Sequence, residues 1–138
     1  MADVHSKETR SYNMSRIRGK NTKPELLVRK FLFSRGFRYK IHDKNLPGKP
    51  DIVLPKYKTI IFIHGCFWHG HEGCRSFVIP KTRSDWWLDK INYNKIKHER
   101  SESLLTELGW KVLIIWECGL KKATVESTFS KLIISLLK

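Results

Sequence analysis

Acidic residues are scarce in this 138-residue chain: 13 Asp and Glu stand against 27 Lys and Arg, for a formal net charge of +14 and a pI near 9.9. The shortage is worst at the front, where residues 1–50 carry 13 basic and 4 acidic side chains against 14 and 9 in the rest. A balance this skewed points to a polyanionic partner rather than a merely solubilising surface, and nucleic acid is the usual one. Long apolar runs are also missing. None approaches the roughly 20 residues of a membrane-spanning helix, and Met1 to Lys20 is too polar for a secretory leader, so no membrane association and a cytoplasmic location are expected. Cysteine is limited to three residues, an odd number that suits metal ligands or buried thiols better than a disulfide framework. Without internal repeats or low-complexity tracts, the length fits one domain able to bury a core unaided.

What is present divides the chain into a basic arm and a patterned remainder. Residues 1–20 hold Arg10, Arg16, Arg18 and Lys20 among Ser, Asn and Gly, with too few apolar groups to pack, and read as a flexible arm for nucleic-acid contact. Residues 21–138 read as a single domain. Thr22-Lys23-Pro24-Glu25 opens a helix with Leu26, Leu27, Phe31 and Leu32 as its inner face, and Gly36 closes it. Phe37 to Ile41 alternates as a strand does, and Leu46-Pro47-Gly48-Lys49-Pro50 makes a turn. Asp51 to Leu54 and Thr59 to Ile63 form a hairpin around Pro55-Lys56-Tyr57-Lys58. Ser84 to about Glu107 lacks Pro and Gly and reads as a long helix with Trp87, Ile91, Leu105 and Leu108 inward. Lys111 to Trp116 is a buried strand, and Val125, Phe129, Leu132, Ile133 and Leu136 stripe a last helix. This order implies an α/β fold, one mixed sheet covered by helices.

The densest chemistry is His64-Gly65-Cys66-Phe67-Trp68-His69-Gly70-His71-Glu72-Gly73-Cys74, which follows the apolar strand directly. Strand ends are where α/β folds place ligands. Cys66, His71, Cys74 and the distant Cys118 make a three-sulfur, one-nitrogen set that would fill the tetrahedral sphere of a structural Zn²⁺; the alternative is ordinary buried thiols. The glycines at 65, 70 and 73 would let the backbone wrap an ion.

Asp51 opens a hydrophobic strand just after a rigid turn. It can bind Mg²⁺ or simply hydrogen-bond the turn. Glu25 fits a capping box with Thr22, which competes with any chemical role. His64 and His69 are surplus to a four-coordinate zinc set and are free for proton transfer or a supporting role. Phe67-Trp68 and Trp86-Trp87 put adjacent bulky rings where both cannot point inward, which suggests a wedge that stacks on bases.

With these residues in view, the chain resembles the very short patch repair (Vsr) endonucleases over nearly its whole length, through MADVHSKETRSYNMSRIRGKNT, LPGKPDIV, FIHGCFWHGHEGC, PKTRSDWWLDKINYN and LGWKVLIIWECGL. The resemblance implies a restriction-endonuclease-like fold and a monomeric nickase that cuts 5′ of the thymine in T:G mismatches left by 5-methylcytosine deamination. It would work alongside a cytosine-5 methyltransferase, with the mismatch-repair protein MutL as a candidate partner. By resemblance, Asp51 and the main-chain carbonyl of Ile63 hold Mg²⁺, His69 is the general base, and Glu25 and His64 position water and phosphate. Phe67, Trp68 and Trp87 wedge into the duplex, Asn94 with Arg16, Arg18 and Lys20 contacts DNA, and Cys66, His71, Cys74 and Cys118 hold structural Zn²⁺. Ile63 stands where threonine is familiar, and the second carboxylate and lysine of general restriction enzymes are absent after Pro50-Asp51. Two other readings compete: a sequence-specific restriction or nicking endonuclease, and a non-catalytic zinc-containing DNA-binding module.

Overall fold

Thr22 caps the first described helix by accepting the Glu25 N–H on Oγ1 at 3.4 Å, while Glu25 Oε2 accepts the Asn21 N–H at 3.2 Å. This reciprocal box starts helix α1, Lys23–Ser34, in a computed structural model that describes residues 21–138. The arm expected over 1–20, with Arg16, Arg18 and Lys20, lies outside the described residues. Gly36 stops α1 at φ 86°. The inner face of α1 differs from the apolar expectation: Val28 and Leu32 are buried together with Glu25 and Arg29, whereas Leu26 and Leu27 are exposed. An ion pair one helical turn apart, Arg29 to Glu25, lets the charged stripe turn inward and rotates the leucines out.

Four strands follow: β1 (Lys40–Ile41), β2 (Ile52–Leu54), β3 (Thr59–His64) and β4 (Lys111–Trp116), in spatial order β1-β2-β3-β4. β1 is shorter than the expected Phe37–Ile41, because Phe37 is committed to the core ahead of it. β2 and β3 form the expected antiparallel hairpin, with Leu54 opposite Thr59, through a 3-10 turn over Pro55–Tyr57 and a left-handed Lys58. Helix α2, Ser84–Glu107, crosses over so that β4 pairs parallel to β3 in a six-residue ladder from Thr59↔Lys111 to His64↔Trp116. A 3-10 turn, Glu117–Leu120, leads to α3, Val125–Leu137.

Alternation along β3 sorts its side chains between two layers. Ile61 packs with Val28 and Leu32 of α1 and Leu132 and Leu136 of α3, while Ile60 and Phe62 pack with Leu105 of α2 on the other face. The sheet is therefore mixed and sandwiched by helices. Burying one such Leu or Ile stabilises the fold by about 1.5–3 kcal/mol. β4 is at the sheet edge, so only Ile115 is fully buried in a strand expected to be buried throughout. Leu108, expected inside, is the exposed C-cap of α2, while Ile91 and Leu105 are buried. Gly48 is required by packing: at φ 77°, an added Cβ would lie 2.8 Å from Ser101 Cβ of α2. The turn before Asp51 is thereby pressed against the long helix. No described helix is long and apolar enough to cross a membrane.

Candidate active site and metal centre

Asp51 sits immediately before β2 and accepts the Ile63 N–H on Oδ2 at 2.7 Å. Its carboxyl is pushed up to about 6, mainly by burial; the Ile63 N–H opposes the rise and the charge of Glu25 adds to it. A strand residue's N–H and C=O project to the same edge, so the Ile63 carbonyl lies on the Asp51 side of β3. α1 brings Glu25 to the same place. Its Oε2, besides capping α1, lies 2.8 Å from Arg29 Nη2 and 2.8 Å from His42 Nε2. The cap and the site are thus served together by one carboxylate. Glu25, His42 and Asp51 each offer a donor atom within 4.8 Å of the others. His42 and Arg29 were not among the residues expected from sequence; a lone histidine after a basic strand and a helix arginine carry no local signal.

His64 ends β3, and the tight loop after it, with His69 N–H donating to Gly65 O, folds His69 back over it. The two imidazoles stack at 3.7 Å with planes 5° apart. His98 of α2, also unforeseen, meets His64 edge-on at 4.3 Å. Burial holds His64 and His69 far below the ordinary histidine range, His69 to about 4, with neighbouring histidines adding to the effect. Both rings are therefore neutral at pH 7. Among the described residues the buried Nδ1 atoms of His64 and His69 have no hydrogen-bond partner. Such atoms are costly in a merely structural role.

Cys66, His71, Cys74 and Cys118 converge as the sequence suggested, with one donor atom from each within 4.8 Å of the rest. Cys118 Sγ is 3.4 Å from His71 Nδ1, and His71 stacks on Trp116 at 4.0 Å. The Cys74 thiol is drawn down to about 6, chiefly by the Ser76 N–H, whereas burial pushes the Cys66 thiol up to about 12. Three sulfurs and a nitrogen this close fit a tetrahedral Zn²⁺, whose charge would hold the thiolates. Gly70 and Gly73 take the positive φ values that the loop needs, 60° and 74°, while Gly65 does not.

Phe67, Trp68 and Trp87 form one cluster with ring centroids 5.2–5.7 Å apart, and Trp86 abuts Trp87 at 4.7 Å. Trp68 and Trp86 remain 48% and 46% exposed, so large aromatic surface faces solvent. Asn94 donates from Nδ2 to the Trp68 carbonyl at 2.9 Å and so fixes the loop. A groove of about 1190 Å³ joins Asp51, Glu25, His64, His69 and Trp68, with Lys23, Lys49, Lys90 and Lys97 along its walls.

The family described as DNA mismatch endonuclease Vsr matches residues 2–75. The chain is 51% identical over 125 residues to the Type II nicking enzyme V.NmeAIP of Neisseria meningitidis serogroup A, covering 91% of this chain and 89% of the relative. This chain belongs to the Vsr family. It is also 48% identical over 120 residues to the Type II nicking enzyme V.XorIIP of Xanthomonas oryzae pv. oryzae, covering 87% of this chain and 88% of that one. With the DNA mismatch endonuclease Vsr of Escherichia coli K12 the identity is 47% over 121 residues, 88% and 77% of the two chains. Vsr membership supports a nuclease activity, and the lysines along the groove accord with a DNA substrate.

Proposed function

We propose that this Vsr-family chain is a Mg²⁺-dependent nickase that cuts 5′ of the thymine in T:G mismatches arising from 5-methylcytosine deamination, and so initiates very short patch repair. One observation carries the proposal: a half-buried Asp51 and a stacked, neutral His64–His69 pair open into the same lysine-walled groove that Trp68 borders. The same reading takes the helix-covered mixed sheet as restriction-endonuclease-like and the protein as a monomer.

Asp51 and the Ile63 carbonyl would hold Mg²⁺, for which two oxygens on neighbouring strands are a fitting seat. When bound, the ion lowers the pKa of a water and offsets charge on the phosphoryl oxygens. The Ile63 N–H keeps the Asp51 carboxylate aimed, and Glu25 orients water beside it. His69, neutral because it is buried, accepts the proton of the attacking water; an entering phosphodiester, being anionic, raises its basicity toward the working pH. His64 stacks beneath it and fixes the ring. Phe67, Trp68 and Trp87 wedge next to the mismatch, where unstacking a wobble pair costs least. Asn94 acts by anchoring Trp68. The arm with Arg16, Arg18 and Lys20 would close over the minor groove, and Cys66, His71, Cys74 and Cys118 would tie the wedge loop to the end of β4 by holding Zn²⁺. A cytosine-5 methyltransferase supplies the lesions' precursor, and MutL is a candidate accessory partner.

A second reading, a nicking enzyme that reads sequence rather than mismatch, is favoured by the names of the relatives from Neisseria and Xanthomonas. The test uses strand-labelled duplexes that differ in one T:G or C:G pair, in several cytosine-methylation contexts, with Mg²⁺. Nicking of the thymine strand alone supports mismatch chemistry. Equal cutting of both duplexes supports the second reading and sinks the first.

A further inference from the structure

Arg83 has no part in the scheme above, yet its backbone and its side chain are both out of the ordinary. It stands at φ 58°, the left-handed region that a β-carbon disfavours, and precedes α2 as a cap that makes no side-chain hydrogen bond to the helix. Backbone strain of this kind is held where a side chain has to be aimed. The group aimed here is the guanidinium, whose central carbon lies over the Trp86 ring, 4.8 Å from its centroid. Both residues are exposed. Trp86 meets Trp87 edge-on at 4.7 Å, and Trp87 lies 5.7 Å from Trp68, so an unbroken line of ring contacts leads from the wall of the groove to Arg83.

We propose that Arg83, braced on Trp86, reads a guanine in a base pair near the wedge and so sets the sequence context in which the chain nicks. The inference rests on the reading of Phe67, Trp68 and Trp87 as a wedge in DNA. A guanidinium seated over a ring presents its rigid fork of N–H groups in a fixed direction, and that fork matches the O6 and N7 acceptors of guanine. A phosphate contact needs only a charge, which Lys23, Lys49, Lys90 and Lys97 already bring to the groove. Phosphate contacts position a protein on the duplex, whereas contacts to base edges specify sequence. With about 3.4 Å between successive base pairs, ring contacts of these lengths place Arg83 a few pairs from the wedge rather than at it. Arg83 is thus a specificity-determining residue, and Trp86 acts through it.

The experiment measures single-turnover nicking, with Mg²⁺, of T:G duplexes in which each flanking base pair is replaced in turn by the other three. Wild type should favour guanine at one flanking position by about 5- to 150-fold, the worth of one bidentate pair. Arg83→Ala should level the rates at that position and leave preferences elsewhere unchanged. Arg83→Lys, which keeps the charge and loses the fork, should level them too; Trp86→Ala should weaken the preference and Trp86→Phe should retain it. Zinc content and circular-dichroism melting confirm that each variant is folded. Should Arg83→Ala not fold, Arg83→Gly, which suits φ 58° without strain, replaces it with the same expectation. Absence of a guanine preference in wild type, or one that survives intact in Arg83→Ala, Arg83→Lys or Trp86→Ala, would overturn the inference. So would a uniform slowing of every duplex by Arg83→Ala with a salt slope smaller by about one, the mark of a phosphate contact. Undiminished binding and nicking by Trp68→Ala would instead remove the wedge reading, and this inference with it. Matched C:G duplexes cut as fast as T:G ones would remove the mismatch reading alone, and the same Arg83 comparison on the matched set then decides the inference.

Discussion

The cysteine-histidine cluster and the carboxylate-histidine groove begin within a few residues of one another at the end of β3, yet they are built for opposite ends. Cys66, His71, Cys74 and Cys118 offer three soft sulfurs and a borderline nitrogen, as many donors as a tetrahedral ion accepts, which would leave nothing open to substrate. Asp51, Glu25, His64 and His69 supply hard oxygens and neutral imidazoles around a groove of about 1190 Å³, with room for water and phosphate. On the proposed function closure would serve stability and openness would serve chemistry, so damage to the two regions should look different.

The largest effect is expected from Asp51→Ala. It should slow nicking by about a thousandfold, since an ion's charge stabilisation is worth several kcal/mol, while mismatch binding in gel shifts stays within a few-fold. Equal loss of binding and cutting would erase the distinction between the regions. Cys118→Ser should do the reverse of Asp51→Ala, lowering zinc content and melting temperature together with a stability loss of about 4 kcal/mol or more, as expected when a structural metal is lost. Normal zinc content in that variant would remove Cys118 from the ligand set.

Acid should sharpen the contrast further. The folded-state pKa values of His64 and His69 are depressed, so below the usual histidine pKa of 6.5 the unfolded chain takes up protons that the folded one refuses. Stability is thus full above pH 6.5 and falls as pH drops toward about 4, where His69 itself titrates. Each of these histidines should cost about 1.4 kcal/mol per pH unit below 6.5. Asp51 works in the opposite sense, since its raised pKa of about 6 favours the folded state as pH falls, and offsets less than about 1 kcal/mol by pH 5.5. Urea titrations at pH 7.5 and 5.5, repeated with His69→Phe, check this: the variant should lose part of the acid sensitivity, and an unchanged slope would contradict it.

Smaller effects belong to the aromatic rim. Trp68→Ala should weaken T:G binding by about 5- to 100-fold, the worth of one stacked ring, and leave zinc content unchanged in fluorescence titrations run beside metal analysis. Asn94→Ala removes only the hydrogen bond to the Trp68 carbonyl, for about 1 kcal/mol, so its binding loss should be near fivefold and should vanish in the Trp68→Ala background.

The closed cluster was the more legible of the two regions because its geometry is nearly local. Three of its members fall between Cys66 and Cys74, and the parallel register His64↔Trp116 places Cys66 and Cys118 each two residues past a matched pair. The strands, the hairpin and the long α2 were legible from periodicity for the same reason. The open groove was legible in Asp51, Glu25, His64, His69, Trp68 and Asn94, all of which line it. His98 lines it from α2, and Arg29 of α1 and His42 after β1 back its Glu25; these contacts span 4 to 34 residues of sequence, and no local pattern encodes them. The helix rule failed in α1 for a related reason: it expects leucines inside, and the buried pair of Glu25 and Arg29 displaced Leu26 and Leu27.

The division of labour between the two regions is tested most directly by single-turnover nicking of a T:G duplex, with zinc content measured in the same sample, after dialysis into magnesium-free buffer and again after Mg²⁺ is restored. The account predicts that nicking stops while zinc stays at one equivalent, and that Mg²⁺ alone brings it back. Nicking that persists without Mg²⁺, or that follows zinc content instead, would contradict it.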